Sequence, residues 1–372
     1  MFIELHFIQN FAPSNLNRDE SGNPKECDFG GVRRARISSQ CIKRSIRTSP
    51  IFTKYTSAEL GYRTRWITQY LLDPLQQKGL QFEDANELAM LFANAFLGED
   101  KKNPGRTTMV IYMSIEEVDI VAQQLADNKD AILSADDKDV KDILARIIKD
   151  LVKKSKDRTS APDIALFGRM LASEPKFNLD ASCQVAHAIS THRISMDMDF
   201  FTAADDLEGG DAAGAAMMGV TGFNSACFYR YMRLDTRQLL MNLDGDKEMT
   251  HKTVEAFLRS SITAVPTGKQ TSFAAQNPPS FLLAVVRQDG MSWSLANAFE
   301  KPVFPTRANS LVENSIAAAD KHWGRLMKAY GGEPVPVVLT LDENAPLESL
   351  SDARVNSVDE WVNAILDKLP QE

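Results

Sequence analysis

The chain has 372 residues, of which 44% are hydrophobic and 25% are charged, and its net charge is −8 at pH 7. These values are ordinary for a globular protein with a large core. No run of about 18 apolar residues is present, which excludes a membrane-spanning helix. An acidic chain is not expected to coat nucleic acid with its whole surface, so any nucleic-acid site must be a local groove.

The N-terminal sequence and the cysteines both bear on where the protein works. The first residues, Met1-Phe-Ile-Glu-Leu-His6, lack the basic region and the long apolar region of a signal peptide. The four cysteines, at positions 27, 41, 183 and 227, form no CxxC pair and no disulfide framework. We therefore predict a cytoplasmic protein with reduced thiols.

The predicted elements describe an α+β protein. In chain order the pattern predicts a strand over 2–9, a loop over 12–32, a basic helix over 38–48, a mostly helical tract over 57–160, a small helix over 181–192, a strand over 226–234, a helix over 248–263, a strand over 281–286, and helices over 313–330 and 357–368. Without its insertions, this order is compatible with a βαββαβ sheet of the RRM or ferredoxin-like kind.

The clearest functional signal is a two-glycine turn followed by a basic helix. Between Asp28 and Glu59 the chain carries no acidic residue and seven basic ones: Arg33, Arg34, Arg36, Lys43, Arg44, Arg47 and Lys54.

The predicted helix has a polar face and a less polar face. With about 3.6 residues per turn, the polar face holds Gln40, Lys43, Arg44 and Arg47, and the opposite face holds Cys41, Ile42, Ser45 and Ile46. Ser38 is a predicted N-cap, which leaves backbone N–H groups at a partly positive helix end beside the cations. This arrangement predicts binding of phosphate or nucleic acid, and the alternative is an ordinary solvated helix face.

Candidate catalytic and metal-binding groups are sparse. Cys183 and His187 would share one face of the predicted small helix, but no third ligand completes a zinc site, so we interpret them as core residues. His6 would be the general base if the chain were an RNA-cleaving relative of RRM-like folds, although a lone histidine in an apolar strand is usually structural. One cluster of aspartates lacks the spacing of a calcium loop: Asp197, Asp199, Asp205 and Asp206. We predict no enzymatic activity, no metal and no cofactor.

One segment is built almost entirely from small residues. Residues 208–222 are rich in glycine and alanine and carry Met217 and Met218 near their far end. Such a composition cannot pack a core by itself, and excursions of this length are usually functional or disordered.

Several motifs, in order over roughly residues 1–300, closely resemble the repeated backbone subunit of the type I-E CRISPR Cascade complex, the CasC-type family of the RAMP superfamily. They are Leu16-Asn-Arg-Asp19, Phe29-Gly-Gly-x-Arg-Arg-x-Arg-Ile-Ser-Ser-Gln40, Lys43-Arg44, Asp163-Ile-Ala-Leu-x-Gly-Arg-Met170, Ala186-His-Ala-Ile-Ser-Thr-His192, Phe201-Thr-Ala-x-Asp-Asp-Leu207, Phe228-Tyr-Arg-Tyr231, Lys269-Gln270, Asn277-Pro278 and Ala296-Asn-Ala-Phe-Glu-Lys301.

The resemblance implies a hand-shaped α+β fold. Its parts would be an RRM-like palm (residues 1–56 and 161–372), a helical finger insertion (residues 57–160) and a thumb hairpin (about residues 196–225). The function implied is that of a non-catalytic subunit, copies of which stack head-to-tail along a CRISPR guide RNA. The partners implied are the guide RNA, target DNA through the guide, other copies of the chain and other Cascade subunits. An RRM-like RNA-processing endonuclease is the alternative.

The resemblance also implies roles for individual residues. Those expected to hold the guide RNA are Arg18, Ser38, Gln40, Lys43, Arg44, Arg47, Arg169, Met170, Lys269, Gln270 and Lys301. Those expected in the thumb are Thr202, Gly209, Gly214, Met217, Met218 and Gly222. Lysines of a finger helix that bind double-stranded DNA in family members correspond to Lys138 and Lys141, which here are interleaved with acids.

Overall fold

The computed structural model describes residues 1–202, 218–342 and 345–370, and it divides the chain into two compact units. The sheet unit comprises Met1–Phe52, Gln184–Asp235 and Val254–Glu372, and the helical unit comprises Thr53–Cys183 and Thr236–Thr253. The predicted finger, residues 57–160, falls inside the helical unit, which starts earlier, ends later and includes a second segment.

Helices and strands both contribute, so the α+β class is confirmed. Within the described residues the strands are β1 (Phe2–Ser14), β2 (Glu26–Phe29), β3 (Val32–Ile37), β4 (Tyr62–Thr64), β5 (Ile111–Met113), β6 (Cys183–Val185), β7 (Ala188–Ser190), β8 (Asp197–Thr202), β9 (Met218–Asp235), β10 (Phe281–Arg287) and β11 (Val335–Thr340). The helices are α1 (Ser39–Arg47), α2 (Pro50–Thr56), α3 (Ile67–Gln77), α4 (Phe82–Leu97), α5 (Ile115–Asp127), α6 (Lys129–Leu133), α7 (Asp137–Lys154), α8 (Pro162–Phe167), α9 (Thr236–Asn242), α10 (Lys247–Thr263), α11 (Gln270–Phe273), α12 (Leu311–Tyr330) and α13 (Val358–Leu366).

A large sheet organises the sheet unit. Its strand order is β11-β10-β1-β9-β7-β3-β2, with β6 and β8 also paired with β9. Every neighbouring pair along this path is antiparallel. The order of the four strands β10-β1-β9-β7 is compatible with the βαββαβ arrangement predicted from the sequence.

The sheet is covered on both faces, which explains why β1 is apolar along most of its length. Alternate residues Ile3, Leu5 and Phe7 are buried on one face. On the other face, Ile8 packs with Phe281 and with Trp323 of α12 in one core cluster. Two buried faces favour a continuous apolar strand over an alternating one.

Two predicted elements are corrected by pairing between distant segments. The loop predicted from residue 12 begins later, because β1 continues to Ser14, with Pro13 in the irregularity where the register with β9 shifts. The small helix predicted over 181–192 is wrong. That segment forms β6 and β7 instead, because Ile189 and Ser190 pair with β9.

The helical unit has a core of its own. Buried apolar residues of α3, α4, α5 and α7, including Leu71, Phe92, Val121 and Leu151, form one cluster. Helix α5 starts with the reciprocal capping box of Ser114 and Glu117 that an S-x-x-E sequence predicts. No helix in the described ranges is both long and apolar enough to cross a membrane.

A buried carboxylate fixes the chain that follows β11. Asp320 of α12 is 2% exposed and accepts backbone N–H bonds from Glu348, Ser349 and Leu350, at 3.0, 3.1 and 2.9 Å. The sheet unit therefore depends on one side chain to satisfy three donors of an irregular segment.

We predict that Asp320→Ala lowers the free energy of unfolding by about 3 kcal/mol, because it leaves several buried N–H groups without an acceptor. Urea unfolding followed by circular dichroism measures this loss. Lys321→Ala, at the exposed neighbouring position, is the control and is expected to change stability by less than about 0.5 kcal/mol. Equal stability of the two variants would contradict the assigned role.

Candidate nucleic-acid interface

A cavity of about 470 Å³ lies beside helix α1 in the sheet unit, and we call it the α1 groove. Its lining comes from three segments that are distant in sequence: Leu16, Asn17, Arg18, Asp19, Glu20 and Gly22; Cys41, Arg44, Ser45 and Thr48; and Thr267 and Gly268. The groove thus brings together Arg18 and Arg44, two residues expected to hold RNA. Lys269 directly follows the third segment.

Helix α1 is anchored by its apolar face and capped as predicted. Ile42 and Ile46 are 4% and 0% exposed, whereas Gln40 and Arg44 are exposed. The side chain of Ser38 accepts a hydrogen bond from the N–H of Cys41 at 3.3 Å. The N–H of Ser38 donates to Asn17 Oδ1 at 2.9 Å, which ties the helix start to the loop that carries Arg18.

The face of α1 that lines the groove differs from the predicted polar face. Cys41 and Ser45 were expected opposite the cations, but both line the groove together with Arg44 and Thr48. These four residues are spaced i, i+3, i+4 and i+7, so they form one stripe of the helix. Arg44 belongs to both stripes. Small side chains beside one arginine leave the groove open where a phosphate could approach.

The loop that carries Arg18 is held by buried polar groups. Asn15, which is 0% exposed, donates from Nδ2 to the carbonyl oxygens of Gly22 and Gly222, both at 2.9 Å. Asp19 Oδ1 accepts from the N–H groups of Ser21 and Asn23, both at 2.9 Å. The Asp19 carboxylate is therefore directed at its own turn.

Gly268 packs directly on the backbone of this loop. A Cβ at this position would overlap the carbonyl group of Leu16. Only glycine permits this approach, which places the segment before Lys269 against the groove.

Arg34 does not face the groove, although it is one of the cations in the basic stretch. It is 0% exposed, and its guanidinium donates to the carbonyl oxygens of Phe29, Ser190, Phe299 and Glu300 at 3.1, 3.1, 2.8 and 3.1 Å. It is a structural residue that holds the Gly30 turn beside Glu300. The exposed Lys301 follows directly.

Lys269 and Gln270 lie in a tight turn before β10. Lys269 has a φ of +49° and precedes the one-turn helix α11. Gln270 Nε2 donates to the carbonyl oxygens of Pro266 and Ala275 at 2.9 and 3.3 Å. The amide donor of Gln270 therefore closes its own loop, while the Lys269 ammonium remains the candidate RNA contact of the pair.

Arg169 and Met170 belong to the helical unit and differ sharply in exposure. Arg169 is 4% exposed, pairs with Glu117 at 2.7 Å, donates from Nε to the Phe177 carbonyl oxygen at 2.7 Å and lies over the Phe177 ring. The structure thus corrects the expectation that Arg169 holds RNA, because its guanidinium is enclosed by protein. Met170 is 88% exposed. Arg169 fixes the backbone that presents it.

The two lysines expected to bind DNA lie in helix α7 of the helical unit. Lys138 and Lys141 are exposed in the first turns of α7, where Asp136 caps the helix by accepting from the N–H groups of Lys138 and Asp139. The acids here satisfy the helix end, and the lysines project beside them.

The predicted thumb starts as a two-stranded hairpin. Strand β8 pairs antiparallel with the start of β9, from Asp197 opposite Phe223 to Thr202 opposite Met218. Met198, Phe200 and Val220 are 58%, 71% and 54% exposed. Gly222 lies in the hairpin base, and the predicted thumb residues Gly209, Gly214 and Met217 fall outside the described residues.

His6 is enclosed in the sheet. It is 1% exposed, and its Nδ1 is hydrogen-bonded to the Tyr229 hydroxyl at 2.9 Å, while that hydroxyl accepts from the Leu295 N–H at 2.8 Å. Burial, reinforced by the charge of Arg287, lowers the pKa of His6 to about 3. A neutral imidazole without solvent access is poorly suited to act as a general base.

The candidate metal ligands are not brought together. Cys183 is the first residue of strand β6, and His187 follows that strand. The two residues therefore do not lie one turn apart on a helix. Asp197 and Asp199 are exposed on β8, whereas Asp205 and Asp206 fall outside the described ranges. Among the residues that the structure describes, no group of three His, Cys, Asp or Glu side chains could hold a metal ion.

The fold of the chain matches chains of solved CRISPR RNA-guided surveillance complexes. It is similar to a chain of a structure described as "CRISPR RNA-guided surveillance complex, pre-nicking", with a TM-score of 0.84, 27% identity and 99% of each chain covered. A chain of a "CRISPR RNA-guided surveillance complex" has the same fold, with a TM-score of 0.74, 23% identity, and coverage of 99% of this chain and 100% of that one.

The family follows from the sequence as a whole. A model of the CT1975-like protein family matches residues 3–364, so the chain belongs to this CRISPR-associated family. The search of curated proteins gave no significant match. The resemblance identified from the motifs is thereby confirmed at the level of the family.

We predict that Arg34→Ala lowers the free energy of unfolding by about 3 kcal/mol or more, because several buried carbonyl groups lose their donor. Denaturant unfolding measures the change. Arg33→Ala removes the neighbouring exposed arginine and is the control, with an expected change below about 1 kcal/mol. A small effect of Arg34→Ala would show that the guanidinium is not a structural tie.

We predict that His6 makes the fold acid-sensitive. The pKa of His6 is about 3 in the folded chain and 6.5 in the unfolded reference, so the unfolded state binds more protons between these values. Stability contributed by neutral His6 is present above pH 6.5 and falls as the pH drops toward 3, by about 2 kcal/mol between pH 7 and pH 5. His6→Gln should reduce the measured difference in unfolding free energy between these pH values by that amount. An unchanged pH dependence would contradict the buried, neutral state of His6.

Proposed function

We propose that the chain is a non-catalytic subunit of a type I-E surveillance complex that binds the CRISPR guide RNA in the α1 groove. Several copies would stack head-to-tail along one guide and hold it for pairing with target DNA. The observation that carries the proposal is the meeting of Arg18 and Arg44 in one groove of a chain from a CRISPR-associated family.

The electrostatics of the groove support an anionic ligand. Arg18 and Arg44 line it, and Lys43 and Arg47 follow the adjacent stripe of α1. Asp19, one of the two acids in the lining, is occupied by backbone N–H groups of its own turn. A phosphate in the groove would therefore meet two guanidinium groups, that of Arg18 from the loop and that of Arg44 from the last turn of α1.

The acidic surface of the chain favours binding of one single strand in a groove rather than coating of a duplex. Contacts to phosphates hold the position of a strand without reading its sequence. In guide-directed recognition, base pairing carries the sequence information, so each copy needs few contacts. A local groove on a chain of net charge −8 meets that requirement.

The exposed hairpin supports assembly of copies. The hairpin exposes the apolar side chains of Met198, Phe200 and Val220 to water in an isolated chain. Their burial against a base or another copy would be favourable. A head-to-tail contact uses different surfaces of each copy and extends into a filament. Met170, exposed in the helical unit, offers soft apolar surface of the same kind.

The surroundings of His6 argue against the endonuclease alternative. An RNA-cleaving site built on this residue would need access to the scissile phosphate, and its imidazole is buried against Tyr229. We therefore assign guide holding to this chain and leave cleavage to other proteins.

We predict that replacing Lys43, Arg44 and Arg47 together by alanine abolishes assembly on CRISPR RNA while the isolated chain stays folded, because the groove loses Arg44 and the adjacent stripe of α1 loses its two cations. Wild-type RNA binding should weaken with salt, with a log–log slope of about 0.7 for each phosphate contacted. Co-expression with CRISPR RNA and the other complex subunits, followed by size-exclusion chromatography and circular dichroism, measures assembly and folding.

A matched control removes three exposed lysines of the helical unit, Lys149, Lys153 and Lys156, and so changes net charge equally. It should assemble like the wild type. Unchanged assembly of the groove variant would refute the groove assignment. Loss in both variants would show that net charge alone governs binding.

A further inference from the structure

A second cavity, of about 690 Å³, lies on the other side of the Arg18 loop within the sheet unit. It shares Arg18, Asp19 and Glu20 with the α1 groove, and we call it the Lys25 groove. Four cations line it, namely Arg18, Lys25, Arg33 and Arg36. The last three do not line the α1 groove, and the family resemblance implies no individual role for them.

Most acids of the Lys25 groove are already engaged. Asp19 accepts two N–H groups of its own turn, and Glu26 pairs with Arg33 at 3.5 Å. Arg33 also pairs with Asp28 at 3.3 Å. Arg18, Lys25 and Arg36 are left to face the exposed Glu20, so the groove has a net positive lining.

Lys25 is the cation best placed to join the two grooves. It is half-buried, and its ammonium makes no hydrogen bond or ion pair with any residue that the structure describes. Its charge reaches into the α1 groove: burial raises the pKa of the Cys41 thiol, and Lys25 acts against that rise. Partial burial of an unpaired ammonium is costly, so binding of an anion beside it would be favourable.

Arg36 is held in place by groups that do not cancel its charge. Its Nε donates to the Glu26 carbonyl oxygen at 3.3 Å, and its Nη1 lies 2.8 Å from His187 Nδ1. Burial lowers the pKa of His187, and the charges of Arg36 and Lys25 lower it further. His187 is therefore a neutral acceptor at pH 7, and Arg36 keeps its full charge in a fixed orientation.

We propose that the Lys25 groove continues the phosphate track of the α1 groove. A single RNA strand would pass from Arg44 over Arg18 to Lys25 and Arg36, towards the hairpin base at Met196. The shared lining at Arg18 makes the two grooves one path, and cations spaced along a path fit a polyanion better than one small anion. This inference rests on the proposed function and assigns two further contacts to it.

The test measures binding of the full chain to fluorescent single-stranded RNAs of increasing length at several salt concentrations. Lys25→Ala should lower affinity roughly four-fold at about 0.15 M salt and reduce the log–log salt slope by about 0.7, as expected for one lost phosphate contact. Lys25→Ala with Arg36→Ala should reduce the slope by about 1.4. Lys25→Arg should restore most of the loss, and Lys328→Ala is the exposed control.

The length series separates a continuous track from an isolated site. The wild type should gain affinity with RNA length beyond the point at which Lys25→Ala stops gaining. Equal losses for a mononucleotide and for a long RNA would overturn the track in favour of an isolated anion site. Unchanged RNA binding with weaker capture of target DNA by the assembled complex would overturn the assignment to the guide strand.

Two results separate the role of the Lys25 groove from that of the α1 groove. If Arg44→Ala weakens RNA binding and Lys25→Ala does not, the α1 groove stands and the extension is wrong. If the wild-type chain binds no RNA, alone or with the other complex subunits, both are wrong. Circular dichroism of each variant guards against loss of folding, and Lys25→Gln offers a second variant that keeps the length of the side chain.

Discussion

The buried guanidinium of Arg34 ties together three segments of the sheet unit. Arg34 binds four backbone carbonyl groups that come from the β2–β3 turn, from β7 and from the segment before Lys301. Burying a charge is costly unless it is fully hydrogen-bonded, and here the carbonyl oxygens supply that compensation. Arg34 also explains why position 30 is a glycine. It holds the Gly30 turn so close to Glu300 that a Cβ on residue 30 would overlap the Glu300 carbonyl group. The basic stretch thus contains a structural arginine as well as exposed cations such as Arg33 and Arg44.

This division resolves the contrast between an acidic chain and the proposed nucleic-acid site. Positive charge is concentrated between Asp28 and Glu59, where no acidic residue occurs, and nearby carboxylates are turned to backbone N–H groups or paired with arginine. A strand that enters the groove meets a local potential set by close charges, because solvent salt screens the more distant acids. Net charge therefore describes solubility here and says little about the site.

The sequence predicted local features well and non-local ones poorly. The Ser38 cap, the span of α1 and the buried positions Ile42 and Ile46 follow from spacing within a few residues, and the structure shows them. Strand β7 was mistaken for a helix, because its partner β9 lies about forty residues away and local periodicity cannot register that pairing. The burial of Arg34 and Arg169 is equally non-local. An arginine that binds carbonyl groups and one that faces solvent are identical in a single sequence.

The two hydrogen bonds of Asn15 give the chain a mechanical link. One amide group holds both the turn that carries Arg18 and the backbone of Gly222 in the hairpin base. A shift of the hairpin must therefore either carry the Arg18 turn with it or break a buried hydrogen bond. Any ligand that shifts the hairpin would thereby act on the groove, and linkage makes such a coupling free energy equal in both directions. On the proposed function, the seating of the hairpin and the hold of the groove on a strand would therefore change together.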